Sequence, residues 1–242
     1  METKLFNGDC LEVMKSIPDG SIDLVLTDPP YLFVKGGKTD NRWSTGSWKK
    51  DSYAFSRMGD FGENEIYNFL NVVTPKMKKI NMYIFCSKLQ LQYYFKWILD
   101  HKKIKYDLLV WNKQKVAVKS HLHYANDIEY IIKLYEPKVT MNAIHNGEKL
   151  DSEYYRKIRI YKHPMGEHET MKPVEMLRKF IEISSNENDT ILDPFMGSGS
   201  TGIGCYLTNR NFIGIELNKN YFDIATKRIE DAKKEKEYSL FN

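Results

Sequence analysis

The chain has 242 residues, of which 42% are hydrophobic and 28% are charged, with a formal net charge of +4. This length supports one large hydrophobic core without disulfide staples. The three cysteines, Cys10, Cys86 and Cys205, are scattered and form no CxxC pair, which argues against a disulfide framework or a zinc site. No apolar run approaches the roughly 18 residues of a membrane span, and the N-terminus shows no secretion signal, so we expect a cytoplasmic protein.

Short apolar runs and helical stripes alternate along most of the chain. In chain order they predict a strand at 21–27, a helix at 63–79, a strand at 80–86, a helix at 88–101, strands at 106–111 and 128–134, a helix at 173–185, a strand at 190–192, a helix at 201–207, a strand at 211–217 and a helix at 219–236. This alternation is typical of an α/β fold in which helices cover both faces of a parallel sheet.

Two stretches interrupt the alternation. Residues 32–62 are glycine-rich and carry aromatic and basic side chains, and a loop of this length inside a compact domain is usually functional or disordered. Residues 136–164 have no clear period and mix polar, aromatic and basic side chains. We expect this second stretch to be an insertion outside the sheet, and the chain as a whole to form one globular domain.

A glycine-rich turn follows the strand predicted at 190–192. Gly197, Gly199 and Gly202 match GxGxxG between a strand and a helix, where backbone approaches a nucleotide-like ligand closely, and we expect a side chain at Gly199 to obstruct that approach. Glu216 ends the next strand, where an acid can accept hydrogen bonds from ribose hydroxyls. A purely structural glycine turn and an unpartnered strand-end acid are the alternatives. Together the two features favour an adenosine-containing cofactor, either a dinucleotide or S-adenosylmethionine.

A second turn follows the first predicted strand and consists of Asp28, Pro29, Pro30 and Tyr31. It should project from the carboxyl edge of the sheet, where open α/β sheets place their ligands. The prolines stiffen the backbone and cannot donate hydrogen bonds, while the acid and the aromatic ring remain free to face a ligand. The alternative is a tight proline turn whose aspartate caps a neighbouring element.

The sequence DPPY at 28–31, together with DPFMGSG at 193–199, resembles the amino-methyltransferases of DNA, which methylate N6 of adenine or N4 of cytosine. The order of catalytic turn, insertion and glycine turn resembles the β class of these enzymes, and the similarity runs through nearly the whole chain. The resemblance implies a Rossmann-like, mostly parallel sheet of the S-adenosylmethionine-dependent methyltransferase type. It further implies a catalytic part at 1–135 with a DNA-facing loop at 32–62, a target-recognition insertion at 136–164 and a cofactor-binding part at 165–242.

The resemblance also assigns residues to roles. Residues 7–11 (NGDCL) are similar to the family segment that contacts the cofactor's adenine, and residues 168–173 (HETMKP) to the segment before the helix that flanks the cofactor. The catalytic residues implied are Asp28, Pro29, Pro30 and Tyr31. The cofactor-binding residues implied are Asp9, Cys10, Lys172, Asp193, Phe195, Gly197, Gly199, Ser200, Thr201 and Glu216. The DNA contacts expected are Arg42, Trp43, Lys49, Arg156 and Arg159. No metal is expected, since His121 and His123 lack a third ligand.

These residues suit methylation of an exocyclic amine, a poor nucleophile because its lone pair is delocalised into the ring. If the Asp28 carboxylate and the Pro29 carbonyl each accept one N–H bond, the nitrogen is drawn toward tetrahedral geometry. Tyr31 would stack on the extruded base, which cannot meet a buried cofactor while it stays in the duplex. Methylation of cytosine C5 needs a cysteine nucleophile, usually after a proline, and no cysteine here follows a proline.

The resulting prediction is an S-adenosylmethionine-dependent methyltransferase that acts on adenine N6 in double-stranded DNA, because adenine enzymes generally carry Asp at the position of Asp28. The nearest alternative is the same fold acting on cytosine N4. A nicotinamide-dependent oxidoreductase is a more distant alternative, in which the DPPY turn would have no function. An inactive DNA-binding module is another, and it would not need that turn. Amine methylation of RNA or protein is a further alternative, although those families usually carry Asn at that position. The sequence leaves open a homodimer and a companion restriction endonuclease, and we expect no membrane partner.

Overall fold

The computed structural model describes residues 1–32, 61–114, 127–142, 144–145, 148–149, 156–162 and 171–240. Arg42, Trp43 and Lys49, which are predicted to contact DNA, lie outside these residues, and so do His121 and His123. Among the described residues, none of the helices combines the length and apolar character that a membrane crossing requires.

The described strands are β1 (Thr3–Asn7), β2 (Leu24–Thr27), β3 (Asn81–Cys86), β4 (Lys105–Asn112), β5 (Ile128–Tyr135), β6 (Ile144–His145), β7 (Glu148–Lys149), β8 (Ile158–Ile160), β9 (Thr190–Asp193) and β10 (Asn211–Glu216). The α-helices are α1 (Cys10–Met14), α2 (Glu63–Val73), α3 (Leu91–Asp100), α4 (Val174–Ser184), α5 (Ser200–Leu207) and α6 (Lys219–Leu240).

Each predicted strand and helix is present. The helix predicted at 63–79 ends as an α-helix at Val73 and continues only as a 3₁₀ turn, Thr74–Lys76, which contains Pro75. The short elements β1 and α1 were not predicted. Five residues give too little periodicity to recognise, although Asp9 caps α1 by accepting a hydrogen bond from Leu11 N (2.8 Å).

Eight strands form one sheet in the order β1-β10-β9-β2-β3-β5-β4-β8. The five pairs β1/β10, β10/β9, β9/β2, β2/β3 and β4/β8 are parallel. Strand β5 is antiparallel to both of its neighbours, β3 and β4. Parallel neighbours need a crossover connection, usually a helix, and the sequence between β4 and β5 has no helical pattern. The prediction of a mostly parallel sheet is confirmed, with β5 as the reversed strand.

The stretch 136–164 was expected to lie outside the sheet, and for β8 this expectation is wrong. Val110, Trp111 and Asn112 of β4 pair in parallel with Ile158, Arg159 and Ile160. A strand of three residues is too short to show an alternating pattern in the sequence. The sheet therefore draws strands from all three predicted parts of the chain, while β6 and β7, among the described strands, pair with each other in a separate two-stranded sheet.

Helices cover both faces of the sheet. One core cluster unites α1, α2 and α3 through residues such as Met14, Phe69 and Trp97, and the other unites α4, α5 and α6 through residues such as Phe180 and Ile229. Strand β2 lies between the clusters and is buried along its whole length. A parallel strand buried on both faces carries apolar side chains on both faces, which explains why its sequence does not alternate.

Candidate active site

The DPPY turn leaves the carboxyl end of β2, in the middle of the sheet, where β9 lies on one side and β3 on the other. Gln90 anchors it: its buried side-chain amide donates to the Pro30 carbonyl (2.9 Å) and to the Phe61 carbonyl (3.0 Å). A buried amide with both donor hydrogens engaged restrains the backbone it touches. The rigidity expected from two prolines is thus reinforced by a side chain that the sequence did not single out.

The two oxygens of the Asp28 carboxylate differ in their surroundings. Oδ2 accepts a hydrogen bond from the Lys172 ammonium. Oδ1 is buried and has no hydrogen-bond partner in the part of the chain that the structure describes. Burial raises the pKa of Asp28, and Glu129 adds to this, while Lys172 opposes it. A buried acceptor that the protein leaves unsatisfied is a place where a ligand donor fits.

The side chain of Lys172, which precedes α4, packs against the DPPY turn. Besides Asp28, its Nζ contacts Glu129 Oε2 (3.3 Å) and lies 5.0 Å from the centre of the Phe85 ring, 5.6 Å from that of Tyr31 and 5.9 Å from that of Trp111. Burial alone would lower its pKa, but the two carboxylates outweigh burial and raise it. The resemblance implies that Lys172 binds the cofactor; the structure places its ammonium on Asp28, the predicted catalytic aspartate.

Glu129, near the start of β5, completes the group. Its Oε2 accepts from the Tyr31 hydroxyl (2.9 Å) as well as from Lys172, and its Oε1 accepts from Lys113 (2.6 Å). Burial alone would raise its pKa, but the two ammonium groups outweigh burial and lower the pKa to about 2. Asp28, Lys172, Glu129 and Lys113 thus form a line of alternating charges, which we call the charge chain.

The sequence analysis missed Glu129 and Lys113. The available signal was the acidic side chain of Glu129 next to the apolar run of β5, because an acid at such a position needs a partner.

Asp193, at the end of β9, is buried and fully engaged within the protein. Its carboxylate accepts from the hydroxyls of Thr27 (2.7 Å) and Thr201 (2.7 Å) and from Phe195 N (3.1 Å). Burial raises its pKa to about 7. Since Thr27 directly precedes Asp28, Asp193 and Thr201 connect the glycine turn to the catalytic turn. In the described structure their side chains bind each other and Thr27; the cofactor-binding role that the resemblance implies for them stays a prediction.

The three glycines of the GxGxxG pattern serve different needs. Gly197 and Gly199 have positive φ angles, +51° and +81°. A Cβ on Gly199 would lie 3.0 Å from the Cβ of Ala225 in α6, and one on Gly202 would lie 2.5 Å from Ile229. A Cβ on Gly197 would meet nothing within 4 Å. The expectation that a side chain at Gly199 blocks a ligand is therefore wrong, because it would meet helix α6, and Gly197 is the glycine that borders open space.

Glu216 ends β10 beside this opening. Its carboxylate accepts from Gly197 N (3.0 Å) and Asn218 N (2.8 Å), and burial raises its pKa. Its carbonyl accepts from Gly8 N (3.0 Å) and Asn7 Nδ2 (2.8 Å), which brings the segment 7–11 to the same edge. Gly197, Glu216 and the 7–11 segment together form what we call the cofactor cradle.

The cofactor cradle fits an adenosine-bearing cofactor. The Glu216 carboxylate accepts from Gly197 N and Asn218 N, and the Leu217 N–H also lies close to it. Two carboxylate oxygens can accept about four hydrogen bonds, so acceptor capacity remains for a ribose hydroxyl. The Ser200 hydroxyl, at the start of α5, is buried without a partner in the described residues.

Phe195 packs edge-on against Phe61 and Phe69, with ring centres 5.6 and 5.5 Å away. Cys10 is half-buried, and burial raises the pKa of its thiol to about 12, so it acts as an apolar group.

Of the predicted DNA contacts, only Arg156 and Arg159 lie among the described residues. Arg156 is exposed just before β8. Arg159 is 4% exposed, and its guanidinium carbon lies 4.9 Å from the centre of the Phe180 ring. Its neighbours Ile158 and Ile160 are 59% and 54% exposed. The alternation of β8 turns Arg159 into the protein, so its placement does not support a DNA contact there.

Comparison with known proteins agrees with this site. The family model N6_N4_Mtase, described as DNA methylase, matches residues 22–227. The type II methyltransferase M.HinfI of Haemophilus influenzae is 31% identical over 95% of this chain and 68% of its own length. The DNA adenine methyltransferase YhdJ of Escherichia coli (strain K12) is 28% identical over 94% of this chain and 83% of its own length.

A solved structure shows the same fold. The crystal structure of M1.HpyAVI in complex with S-adenosylmethionine superposes with a TM-score of 0.66 at 27% identity and covers 94% of this chain and 99% of its own. The predicted fold and cofactor are confirmed. The chain belongs to the N6/N4 DNA methylase family and is a DNA methyltransferase that uses S-adenosylmethionine.

Proposed function

We propose that the chain methylates the N6 amine of adenine in double-stranded DNA after extruding the base from the duplex. The observation that carries this proposal is the buried Asp28 Oδ1, which lacks a donor in the described structure although Oδ2 is held by Lys172. An amine N–H on a target base is the kind of donor that this oxygen requires.

The catalytic turn offers a second acceptor for the same amine. Gln90 engages the Pro30 carbonyl, so we assign the Pro29 carbonyl to the other N–H. With one hydrogen on Asp28 and one on Pro29, the nitrogen is drawn out of conjugation with the ring. By analogy with the loss of one oxyanion-hole donor, each bond that strengthens in the transition state contributes about 3–4 kcal/mol.

Tyr31 supplies the platform for the extruded base. Its hydroxyl is tied to Glu129 (2.9 Å), which fixes the ring, and we assign the face of that ring to stacking on the base. A ring held in this way orients the amine toward the methyl donor, and positioning accounts for much of the rate of such a transfer.

The cofactor cradle holds the methyl donor through Gly197, Ser200, Glu216 and the 7–11 segment. When bound, S-adenosylmethionine supplies an electrophilic methyl group on a sulfonium. The Asp28 carboxylate stabilises the positive charge that grows on the amine nitrogen. Burial raises the pKa of Asp28, which suits Oδ1 to take the proton that the methylated nitrogen releases.

Adenine is favoured over cytosine N4 by the identity of residue 28. A carboxylate accepts a charge-assisted hydrogen bond, which is stronger than the bond a serine hydroxyl accepts. Duplex DNA should be treated with cofactor labelled in the methyl group and digested to nucleosides. We expect the label in N6-methyladenine. Label in N4-methylcytosine would overturn the choice of base, and label in C5-methylcytosine would overturn the mechanism.

A further inference from the structure

We propose that Glu129 is a positioning residue for methyl transfer: by binding Lys172, Lys113 and the Tyr31 hydroxyl, it keeps Lys172 on Asp28 Oδ2 and leaves Oδ1 to the target amine. This role rests on the proposed function, since it concerns the same reaction. The role would also explain a functional consequence of the antiparallel direction of β5, which carries Glu129.

The topology explains how Glu129 reaches the site. Strands β2 and β3 end at the active edge of the sheet, and β5 begins there because it runs antiparallel to β3, with Tyr130 opposite Cys86. Glu129 is the preceding residue and pairs with Trp111 of β4. A parallel strand in the place of β5 would present its last residue at this edge, not its first. The reversal therefore delivers an acid from the start of β5 to the catalytic turn.

The contacts of Lys172 explain why Glu129 matters for Asp28. The Lys172 ammonium has three hydrogens and lies between two carboxylates, with aromatic rings around it. With Glu129 present, its positive charge is divided between both carboxylates. Without Glu129, the ammonium would have Asp28 as its one acidic partner among the described residues. It would be free to engage Oδ1 as well, and would then compete with the target amine.

Glu129 also determines how Tyr31 is held. The Tyr31 hydroxyl donates to the same Oε2 that accepts from Lys172, so one oxygen ties the stacking ring to the ammonium that binds Asp28. Lys113 neutralises the other oxygen at 2.6 Å. The two groups that act on the base, its stacking platform and its amine acceptor, are in this way fixed relative to each other.

The alternative is that Glu129 merely satisfies a buried lysine. The pH dependence of transfer distinguishes the two roles, because Glu129 raises the pKa of Asp28 through like charge. The other titratable groups around Asp28 are Lys172, Tyr31, Cys86, Tyr94 and Asp193. All of them remain in Glu129→Gln. In that variant the acidic limb of the rate profile should move to lower pH, because Asp28 loses a neighbouring negative charge.

The experiment measures single-turnover methylation of duplex DNA from about pH 4 to 9, the range that brackets the ordinary carboxyl values, for wild type and Glu129→Gln. We expect the plateau rate to fall about tenfold to hundredfold, as for a lost charge-assisted contact. We also expect the acidic limb to shift downward, with cofactor affinity unchanged by calorimetry. The matched control is Glu182→Gln, another buried glutamate with a basic partner, Arg178, but on α4. It should leave the rate and the limb unchanged.

A folded Glu129→Gln variant with the wild-type rate and limb would overturn the proposal, and so would the same changes in Glu182→Gln. If Glu129→Gln does not fold, Tyr31→Phe keeps the ring and removes the hydroxyl that donates to Glu129 and also lies near Asp28. It should slow transfer about threefold to tenfold, the equivalent of one ordinary hydrogen bond, and an unchanged rate would overturn the proposal. If the wild type labels cytosine N4, the adenine assignment is refuted, and the role of Glu129 is still tested by comparing the rates and pH profiles of the variants with those of the wild type. Wild type that labels no DNA overturns both.

Discussion

The Asp28 carboxylate and the Lys172 ammonium form an ion pair although they lie 144 positions apart in the sequence. The pair joins the turn after β2 to the segment that leads into α4, and both partners are largely shielded from solvent. It gives the Asp28 carboxylate one oxygen, Oδ2, that binds Lys172 and one, Oδ1, that has no partner in the described residues. The proposed chemistry therefore depends on two distant segments that meet at one edge of the sheet.

Replacing Asp28 by asparagine should abolish most methyl transfer and spare cofactor binding. The variant keeps the shape of the side chain but loses the charge that stabilises the developing cation, so we expect the rate to fall about 10²- to 10³-fold. Transfer of labelled methyl groups measures the rate, and calorimetry with S-adenosylhomocysteine measures cofactor affinity. Asp107→Asn is the control, since Asp107 pairs with Lys157 (2.5 Å) away from the catalytic turn. Full activity of Asp28→Asn on duplex DNA would show that Asp28 is a structural cap.

Alanine substitutions at Gly197 and Gly199 should have different consequences. Both positions have positive φ, which costs about 1–2 kcal/mol for a residue with a Cβ. Only at Gly199 does the new methyl group also meet Ala225 of α6 at 3.0 Å. We expect Gly199→Ala to lower the melting temperature more than Gly197→Ala, as measured by thermal unfolding without cofactor. Equal losses of melting temperature in the two variants would mean that α6 shifts to accommodate the methyl group at position 199.

The sheet was predictable from the sequence because its strands are apolar runs bounded by clear turn residues, as Leu24–Thr27 is by the two prolines that follow. The catalytic turn was predictable for the same reason. The direction of β5 could not be predicted, because the sequence of an apolar strand does not indicate which way the strand runs in the sheet. Strand β8 was missed because three residues carry no period.

The charge chain escaped prediction for a different reason. Lys172 was identified by its motif and predicted to bind the cofactor, but its contacts with Asp28 and Glu129 were not foreseen, since a motif names a segment and not the atom that its side chain contacts. Glu129 and Lys113 belong to no motif. Their contacts with Lys172 and Tyr31 arise only when β4 and β5 pair beside the turn after β2. Contacts of this kind depend on which distant strands become neighbours in the sheet, and local patterns do not specify that.

Asp193→Asn should change how stability depends on pH. Folding raises the pKa of Asp193 from 3.8 to about 7. The neutral acid therefore favours the fold below its unfolded pKa, and this contribution is lost as the pH rises through about 7. Asparagine is neutral at every pH, so at pH 8 we expect the variant to gain stability, on the order of a few kcal/mol at most. Chemical denaturation of both proteins from pH 5 to about 8 tests this, and a constant difference across that range would contradict the prediction.

Glu216→Gln should weaken binding of S-adenosylhomocysteine about tenfold to hundredfold, the range for a lost hydrogen bond to a charged group. The side-chain oxygen of glutamine can still accept one of the two backbone N–H bonds, so the turn should persist while the negative charge is lost. Calorimetry measures the affinity, and Glu12→Gln on the exposed surface of α1 serves as the control. NAD should bind neither protein. Tight NAD binding by wild type without a response to S-adenosylhomocysteine would refute the cofactor assignment for the cradle.

Arg156→Ala should weaken DNA binding and leave cofactor affinity unchanged. Arg156 is exposed next to β8, whereas Arg159 faces the Phe180 ring, so a DNA role for this pair of arginines falls on Arg156 alone. A contact to phosphate would weaken all duplex sequences alike and reduce the slope of log K against log salt by about one, whereas a contact to a base would relax preference at one position.

Fluorescence anisotropy with labelled duplexes at several salt concentrations distinguishes the two kinds of contact. The control is Lys103→Ala, an exposed cation that precedes β4. Lys103 and Arg156 both precede their strands, β4 and β8, which run parallel. Since Val110 of β4 pairs with Ile158 of β8, Arg156 lies level with Leu108, five residues further along β4 than Lys103 and nearer the edge at which β2 ends. We expect this variant to bind DNA as wild type does. Unchanged affinity and salt slope in Arg156→Ala would remove Arg156 from the interface, and an equal loss in Lys103→Ala would show that only net charge is being measured.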